Sequence, residues 1–438
     1  GDRKGVRYLM PGIKVYYCPF VPMTDQDCLP TFMASLPLLR WIFVREVIGI
    51  VHAHQATSVL AHESLAYAAA LGLKTVYTDH SLFGFDDVAS LVLNRVLEAS
   101  LSTVGAAICV SHVCRENLIL RAALDPTMVH AIPNAVDASK FTPNPLLGRN
   151  DNNGRIKVVV ISRLVYRKGI DLLVGIIPIV CKAFDHVDFI VGGDGPKRLA
   201  LEEQVERHQL QERVEFLGAV PHHEVAQVLA RGQVFVNCSL TESFCIALLE
   251  AASCGLFVVS TNVGGVSEVL PSPQMMYLSE PTIESLALHV SRAIHRQEEI
   301  RSSGKKNEET LLLWETHKRI KCMYSWNSVA QRTARVYDAV MDAPRLGFLE
   351  RLARYKSVGH GRGLAGYLTC LVAMMIHFCL LVLEWWQPRH LIDVVPDIRL
   401  TSSSQLDDDN ANNPAATKHD GIISSLEGYS EIENKKRN

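Results

Sequence analysis

Two carboxylates, Glu242 and Glu250, stand eight positions apart in the run Cys238-Ser239-Leu240-Thr241-Glu242-Ser243-Phe244-Cys245-Ile246-Ala247-Leu248-Leu249-Glu250. Strand-like apolar runs flank this stretch, so the spacing sets one Glu just ahead of a helix and the other about two turns into it. A helix N-terminus attracts phosphate through its free N–H groups and its dipole. The backbone N–H groups near Phe244, Cys245 and Ile246 are placed for that task. Carboxylates on either side of such a phosphate can hold hydroxyl groups. A nucleotide sugar has this layout of ribose, diphosphate and hexose. Glutamates ordinarily stay in water, but Glu250 sits among Ala, Leu, Ile and Cys, a poor place for a solvated charge.

A diphosphate also needs cations. Ile161-Ser162-Arg163-Leu164-Val165-Tyr166-Arg167-Lys168-Gly169 follows an apolar run, so Arg163 and Lys168 leave a strand end. Arg can grip phosphate bidentately and Lys acts as a point charge. Taken alone, an ordinary basic loop explains the run as well, since Arg167 is there too. Gly192-Gly193-Asp194-Gly195-Pro196 closes another strand, and its glycines allow close backbone approach to a ligand. Asn262-Val263-Gly264-Gly265 is a similar, weaker signal. In Thr78-Asp79-His80-Ser81, the position of His80 lets it meet a phosphate or sugar hydroxyl, with Asp79 to orient it; a structural histidine fits equally. His52 and His54 share a strand face, as acceptor-site or structural groups, and no partner ligand suggests a metal.

These residues need strand ends to hold them. Val15–Tyr17, Ile50–His54, Thr75–Thr78 and Ala106–Val110 read as buried strands, with helical patterns at Ser58–Leu71 and Ala89–Ser100 between them. After a turn-rich stretch, Lys157–Ser162, Asp188–Gly192, Val214–Leu217, Val234–Asn237 and Phe257–Ser260 read as a second set of strands. Helices at Leu172–Ala183 and Pro196–His208 separate the first of them. Strand–helix alternation predicts parallel sheets covered on both faces. The reading is therefore an α/β chain of two Rossmann-like domains facing a cleft, residues 1–138 and 156–341, joined by a linker at 139–155. The first domain is expected to be short by one β-α-β unit.

Apolar residues make up 48% of the 438, enough for two cores, and a net charge of −2 argues against a nucleic-acid surface. The 11 cysteines are scattered without zinc spacing, which predicts free thiols in a reducing compartment. Residues 364–383 carry no formal charge and end at Glu384-Trp385-Trp386, the length and belt of a transmembrane helix. Arg345, Arg351, Arg354, Lys356 and Arg362 precede it, while Arg389 and Arg399 follow. That bias places the large N-terminal part in the cytosol and the tail on the far side. The tail, 397–438, is polar and expected to be disordered.

Together these marks resemble the retaining glycosyltransferases of family four, which have the GT-B fold. Glu242-x7-Glu250, Arg163 with Lys168, Gly-Gly-Asp-Gly-Pro and Ile132-Pro133-Asn134-Ala135-Val136-Asp137 carry the resemblance over about residues 6–340. A helix around Trp326–Tyr337 is similar to the family's last helix, which crosses back to the first domain. The strings TDHSLFGF, RAALDP, SRLVYRKGIDLL and SLTESFCIALLEAASCGL resemble the branch that starts glycosylphosphatidylinositol anchors at the endoplasmic reticulum membrane.

The resemblance implies transfer of N-acetylglucosamine from UDP-GlcNAc to phosphatidylinositol, without a cofactor or metal, within a membrane complex of several subunits. It gives Arg163 and Lys168 to the departing diphosphate, Glu242 to the donor sugar and Glu250 to the ribose. Phe244, Cys245, Ile246, Gly193 and Asp194 would also contact the donor, and His80 would approach the reacting sugar. Family members carry a Gly-Gly loop after their first strand; with that loop absent, this chain alone is expected to be weakly active or inactive. A lipid-linked mannosyltransferase, or a non-catalytic membrane-anchored subunit of the same fold, are the alternatives.

Overall fold

The computed structural model describes residues 5–10, 12–21, 28–85, 88–144, 154–270, 272–303, 306–359 and 363–395, with the side chains of 306–309 left aside. The polar tail 397–438 and residues 145–153 of the expected linker lie outside the described residues. Two compact units are present, 1–21 with 393–438, and 22–392.

In the first unit, β1 (Gly5–Met10) and β2 (Ile13–Tyr17) pair antiparallel as a hairpin. Val15–Tyr17, expected as a buried strand of a parallel sheet, therefore has one antiparallel neighbour and stays half-exposed. A short apolar run does not specify its partner, so periodicity alone cannot separate the two cases.

The second unit opens with α1 (Leu36–Arg45) and a four-stranded parallel sheet. Its strands are β3 (Ile50–His54), β4 (Lys74–Asp79), β5 (Ala106–Cys109) and β6 (Val129–Ala131), in that spatial order. Between them run α2 (Val59–Ala70), α3 (Val88–Leu101) and α4 (His112–Ala122). Ser58 and Ser111 cap α2 and α4 by accepting the N–H groups of Ala61 and Cys114, which fixes where each helix leaves its strand end.

The second sheet has six parallel strands. They are β7 (Ile156–Ile161), β8 (Val187–Gly192), β9 (Val214–Gly218), β10 (Val234–Asn237), β11 (Phe257–Thr261) and β12 (Met276–Ser279), ordered 12-11-10-7-8-9. Helices α5 (Ile170–Ala183), α6 (Arg198–Arg207), α7 (Val225–Leu229), α8 (Ile246–Ser253) and α9 (Ile283–Ser302) connect them. Val158, Val234, Val236, Val258 and Val259 are wholly buried, as continuous apolar runs in a sheet covered on both faces must be. Strand order reverses between β7 and β10. Open α/β sheets bind ligands in the crevice outside the carboxyl ends at such a switch point. The loops leaving β7 and β10 carry Arg163–Lys168 and Glu242.

Beyond α9, the chain runs through α10 (Lys306–Met323) and α11 (Trp326–Asp342). Val336 and Val340 of α11 bury against Val76, Ala106 and Ile108, so the chain returns to the first sheet. Then α12 (Phe348–Lys356) leads into α13 (Leu364–Trp386), the one helix among the described residues long and apolar enough to cross a membrane. It does not stand apart from the domains. Ile376 and Leu380 pack with Leu36, Leu39 and Tyr67 of α1 and α2. Near its end, Glu384 accepts from buried Arg40 at 2.7 Å, and Arg40 also donates to the Gln387 carbonyl at 2.9 Å. The outward face of α13 is apolar and exposed at Leu371, Phe378, Leu381 and Trp385. Five cysteines, at 109, 114, 181, 238 and 254, are buried.

Candidate active site

The loops at the switch point are locked together by backbone. Ser162 N–H donates to the Gly192 carbonyl at 3.0 Å, Leu164 N–H to Asp194 at 2.9 Å, and Leu240 N–H to Arg167 at 2.9 Å. Gly193 has φ +132°, and a Cβ there would lie 1.8 Å from the Ser162 carbonyl oxygen. Gly193 thus holds the Arg163–Lys168 loop by close approach. The Asp194 carboxylate accepts from Gly195 N–H at 2.8 Å and so stiffens the same turn.

Lys168 reaches across the switch point and pairs with Glu242. Ser239 Oγ donates to the same Glu242 oxygen at 2.8 Å. Glu242 is 11% exposed and Lys168 25%, so neither is a solvated surface charge. The Lys168 ammonium keeps two further donors. Arg163 is exposed, and its guanidinium makes no ion pair among the described residues. Sequence spacing grouped Arg163 and Lys168 as one pair of cations; in the structure Lys168 is the one set beside Glu242.

Cys245 has φ +72° immediately before α8, a left-handed conformation that costs a non-glycine residue about 1–2 kcal/mol. The turn sets the first N–H groups of α8 behind Glu242. Burial pushes the Cys245 thiol up to about 12, so it remains neutral. Phe244 is 2% exposed and meets Tyr324 edge-on at 5.9 Å. Its side chain therefore belongs to the core, and only its backbone faces a ligand site. Glu250 is half-buried on α8; burial raises its carboxyl, while nearby His222 acts the other way. The pair Glu242 and Glu250 brackets the helix start, with Ile246 between them.

The first sheet faces this site through direct contacts. Ser243 Oγ donates to the His80 carbonyl at 2.5 Å, and Ser111 Oγ donates to the Ser243 carbonyl at 2.6 Å. Gly264, at φ +53°, lies so near the Glu242 carbonyl that a Cβ would meet it at 2.0 Å. Glu268 accepts from the N–H groups of His112 and Val113 at 2.7 and 2.9 Å. The N-terminus of α4 is thereby occupied by a carboxylate, whereas that of α8 opens beside Glu242 and Lys168.

His80 belongs to a column of three histidines. His52 and His54 rings stack at 4.4 Å, and His54 and His80 at 5.4 Å. His54 Nδ1 and His80 Nε2 share a hydrogen bond of 3.1 Å. His52 bonds Tyr337 Oη at 2.6 Å and Thr78 Oγ1 at 2.7 Å. Asp79, which the spacing offered as an orienting group for His80, turns inward to Arg121 at 3.1 Å. Ser243, Glu268 and Tyr337 carry no local signal in the sequence, because each acts on a residue from another loop or domain.

Burial, reinforced by the neighbouring rings, lowers His52 and His80 to about 4. Unfolded histidine takes up its proton near 6.5. Below that pH the unfolded chain binds more protons, so the stability from these neutral rings is complete above about pH 6.5 and drains away towards pH 4. Thermal unfolding of the full chain is expected at a lower midpoint at pH 5 than at pH 7. His80→Asn with His52→Asn should flatten that dependence; an equal drop in wild type and variant would contradict the account.

Two facing parallel sheets, with a crevice at the switch point of the second, define the GT-B fold. Sucrose-phosphate synthase from Thermosynechococcus elongatus has this fold at TM-score 0.61 and 19% identity, over 78% of this chain and 87% of that one. Anabaena Alr3699/HepE in complex with UDP matches at TM-score 0.58 and 18% identity, over 70% and 84%. The family described as Glycosyl transferases group 1 matches residues 148–310, and the one described as PIGA (GPI anchor biosynthesis) matches residues 1–87. A phosphatidylinositol N-acetylglucosaminyltransferase subunit from Arabidopsis thaliana is 49% identical over 400 residues, 91% of this chain and 86% of that protein. Its Homo sapiens counterpart is 48% identical over 397 residues, covering 91% and 79%. The chain belongs to this family of glycosyltransferases of GPI-anchor biosynthesis.

Proposed function

We propose that the chain transfers N-acetylglucosamine from UDP-GlcNAc to phosphatidylinositol with retention of the α configuration. The observation that carries this reading is the Lys168–Glu242 pair at the switch point, beside the start of α8 and facing His80. The bond from sugar C1 to the diphosphate oxygen breaks, and its electron pair leaves on UDP. An inositol hydroxyl oxygen bonds to C1 from the same face, and its proton passes to the departing phosphate oxygen. Lys168, Arg163 and the α8 N–H groups stabilise the charge that develops on the diphosphate. Glu242, held in place by Lys168, holds donor-sugar hydroxyls, and Glu250 holds the ribose. The relatives are named as subunits, which supports work within a membrane complex, and α13 gives the chain its contact with the bilayer.

Microsomes containing the full chain, supplied with labelled UDP-GlcNAc or GDP-mannose, test this reading. Label from UDP-GlcNAc should enter a phosphatidylinositol product as an α-anomer by NMR, and label from GDP-mannose should not. A mannosylated lipid, or a β-linked product, would overturn it.

A further inference from the structure

A groove of about 570 Å³ runs between α2 and α3 on one side and α12 and α13 on the other, away from the Lys168–Glu242 site. Ala66, Ala70, Ala99, Leu352, Val372 and Ile376 form its walls. The volume lies within the usual range for ligand sites, roughly 300–1,000 Å³.

The polar groups of the walls are engaged within the protein. His62 bonds Ser100 Oγ at 2.8 Å and the Ala56 carbonyl at 2.7 Å. Glu63 accepts from Thr31 N–H and Oγ1 at 2.9 and 2.7 Å, and from Ser35 Oγ at 2.5 Å. Tyr67 Oη accepts from Ser35, Tyr355 Oη bonds Thr103, and Thr369 Oγ1 donates to the Ala365 carbonyl. A polar ligand would find these groups already bonded and would lose its own hydration. The exceptions are His377, whose ring lies 4.6 Å from that of Phe348, and half-buried Arg351: one Arg351 nitrogen donates to the Leu346 carbonyl at 3.2 Å, and the guanidinium, with five donors in all, lies over the same Phe348 ring. Arg345, Arg354 and Lys356 stand on or just ahead of the same short helix, making it basic beside an apolar groove.

These features select the occupant. One wall is α13, the helix whose composition suits a bilayer, so the groove opens where hydrocarbon is the solvent. A single acyl chain is slender enough, and the cations match a phosphate. We propose that the groove holds one acyl chain of an anionic bilayer phospholipid, resident beside α13 and distinct from the acceptor, with its phosphate at Arg351. This seat lets the lipid join the first domain to α13 as a third packing element.

The test is made on the full chain purified in mild detergent. About one equivalent of phospholipid should co-purify, enriched in anionic species by mass spectrometry. A phospholipid bearing a diazirine on its acyl chain should label α2, α3 or α13 of the wild-type chain on irradiation. Ala66→Phe with Ala99→Phe should lower the bound lipid at least fivefold, with the acceptor KM unchanged, and Arg351→Gln should abolish the anionic enrichment. Absence of lipid, labelling elsewhere on the chain, or crosslinking of the groove to another protein would overturn the proposal. Loss of lipid with a raised acceptor KM would place the acceptor in the groove and overturn the resident assignment.

Discussion

Replacing Lys168 by Ala is expected to lower kcat/KM for glycosyl transfer by about 10²–10³, the usual effect of deleting one preorganised charge-stabilising donor. Lys168 sits at the carboxyl end of β7, held by the contact between its loop and Gly193, and its ammonium is only 25% exposed. In that position it cannot be replaced by solvent without reorganisation. The substitution also deprives Glu242, 11% exposed, of the ion pair that fixes its position, which weakens its grip on hydroxyls. Glu242→Gln should therefore cost a similar factor, and the double variant should lose much less than the product of the two. Arg163→Ala, removing an exposed side chain, should cost about tenfold or less. Initial rates of labelled sugar transfer with saturating lipid measure all four, and a Lys168→Ala variant within threefold of wild type would refute the role.

The second large effect concerns stability. Arg121→Met is expected to destabilise the chain by about 3–5 kcal/mol, because it strands one partner of a buried ion pair. Both Arg121 and Asp79 are 0% exposed, and the carboxylate accepts from Arg121 at 3.1 Å and from Ser81 N–H at 3.1 Å. Arg121 also donates to Asn94 at 2.7 Å and lies 4.8 Å over the Phe83 ring. Burial raises the Asp79 carboxyl and Arg121 pulls the other way. Without Arg121 the folded chain would hold the proton more tightly than the unfolded one, so the deficit should shrink as pH falls from 7 towards 5. The thermal midpoint at pH 7 should fall by about 5 °C, and adding Asp79→Asn should restore most of it. Because Asp79 ends β4 and His80 follows it, activity should fall with stability in the single variant. A midpoint within 2 °C of wild type would show that the pair contributes little.

Much of the site was readable because its signals are local. Apolar runs mark β7 and β10, and the Glu242-x7-Glu250 spacing marks a helix start. The glycines at 193 and 264 signal close approach without naming what approaches. Other features are not local. Arg121 is 42 positions from Asp79, and Glu268 caps α4 from 155 and 156 positions away. Each such partnership depends on how two sheets and their loops are stacked, which leaves no period in the sequence. The histidine column is half-legible: His52 and His54 share a face by strand alternation, but only the parallel pairing of β3 with β4 brings His80 to them.

The apolar helix at 364–386 shows the same division. Its length and the uncharged run 364–383 follow from composition alone, since every backbone group of a helix is bonded internally and its side chains set its solvent. Which surfaces it touches does not follow. Tertiary packing laid α13 on α1 and α2, joined Glu384 to Arg40 and left a groove beside Ala66 and Ala99. Likewise the sequence placed Lys168 and Glu242 at two strand ends. Only the reversal of strand order between β7 and β10 set those ends side by side, where opposite charges settle within bonding distance.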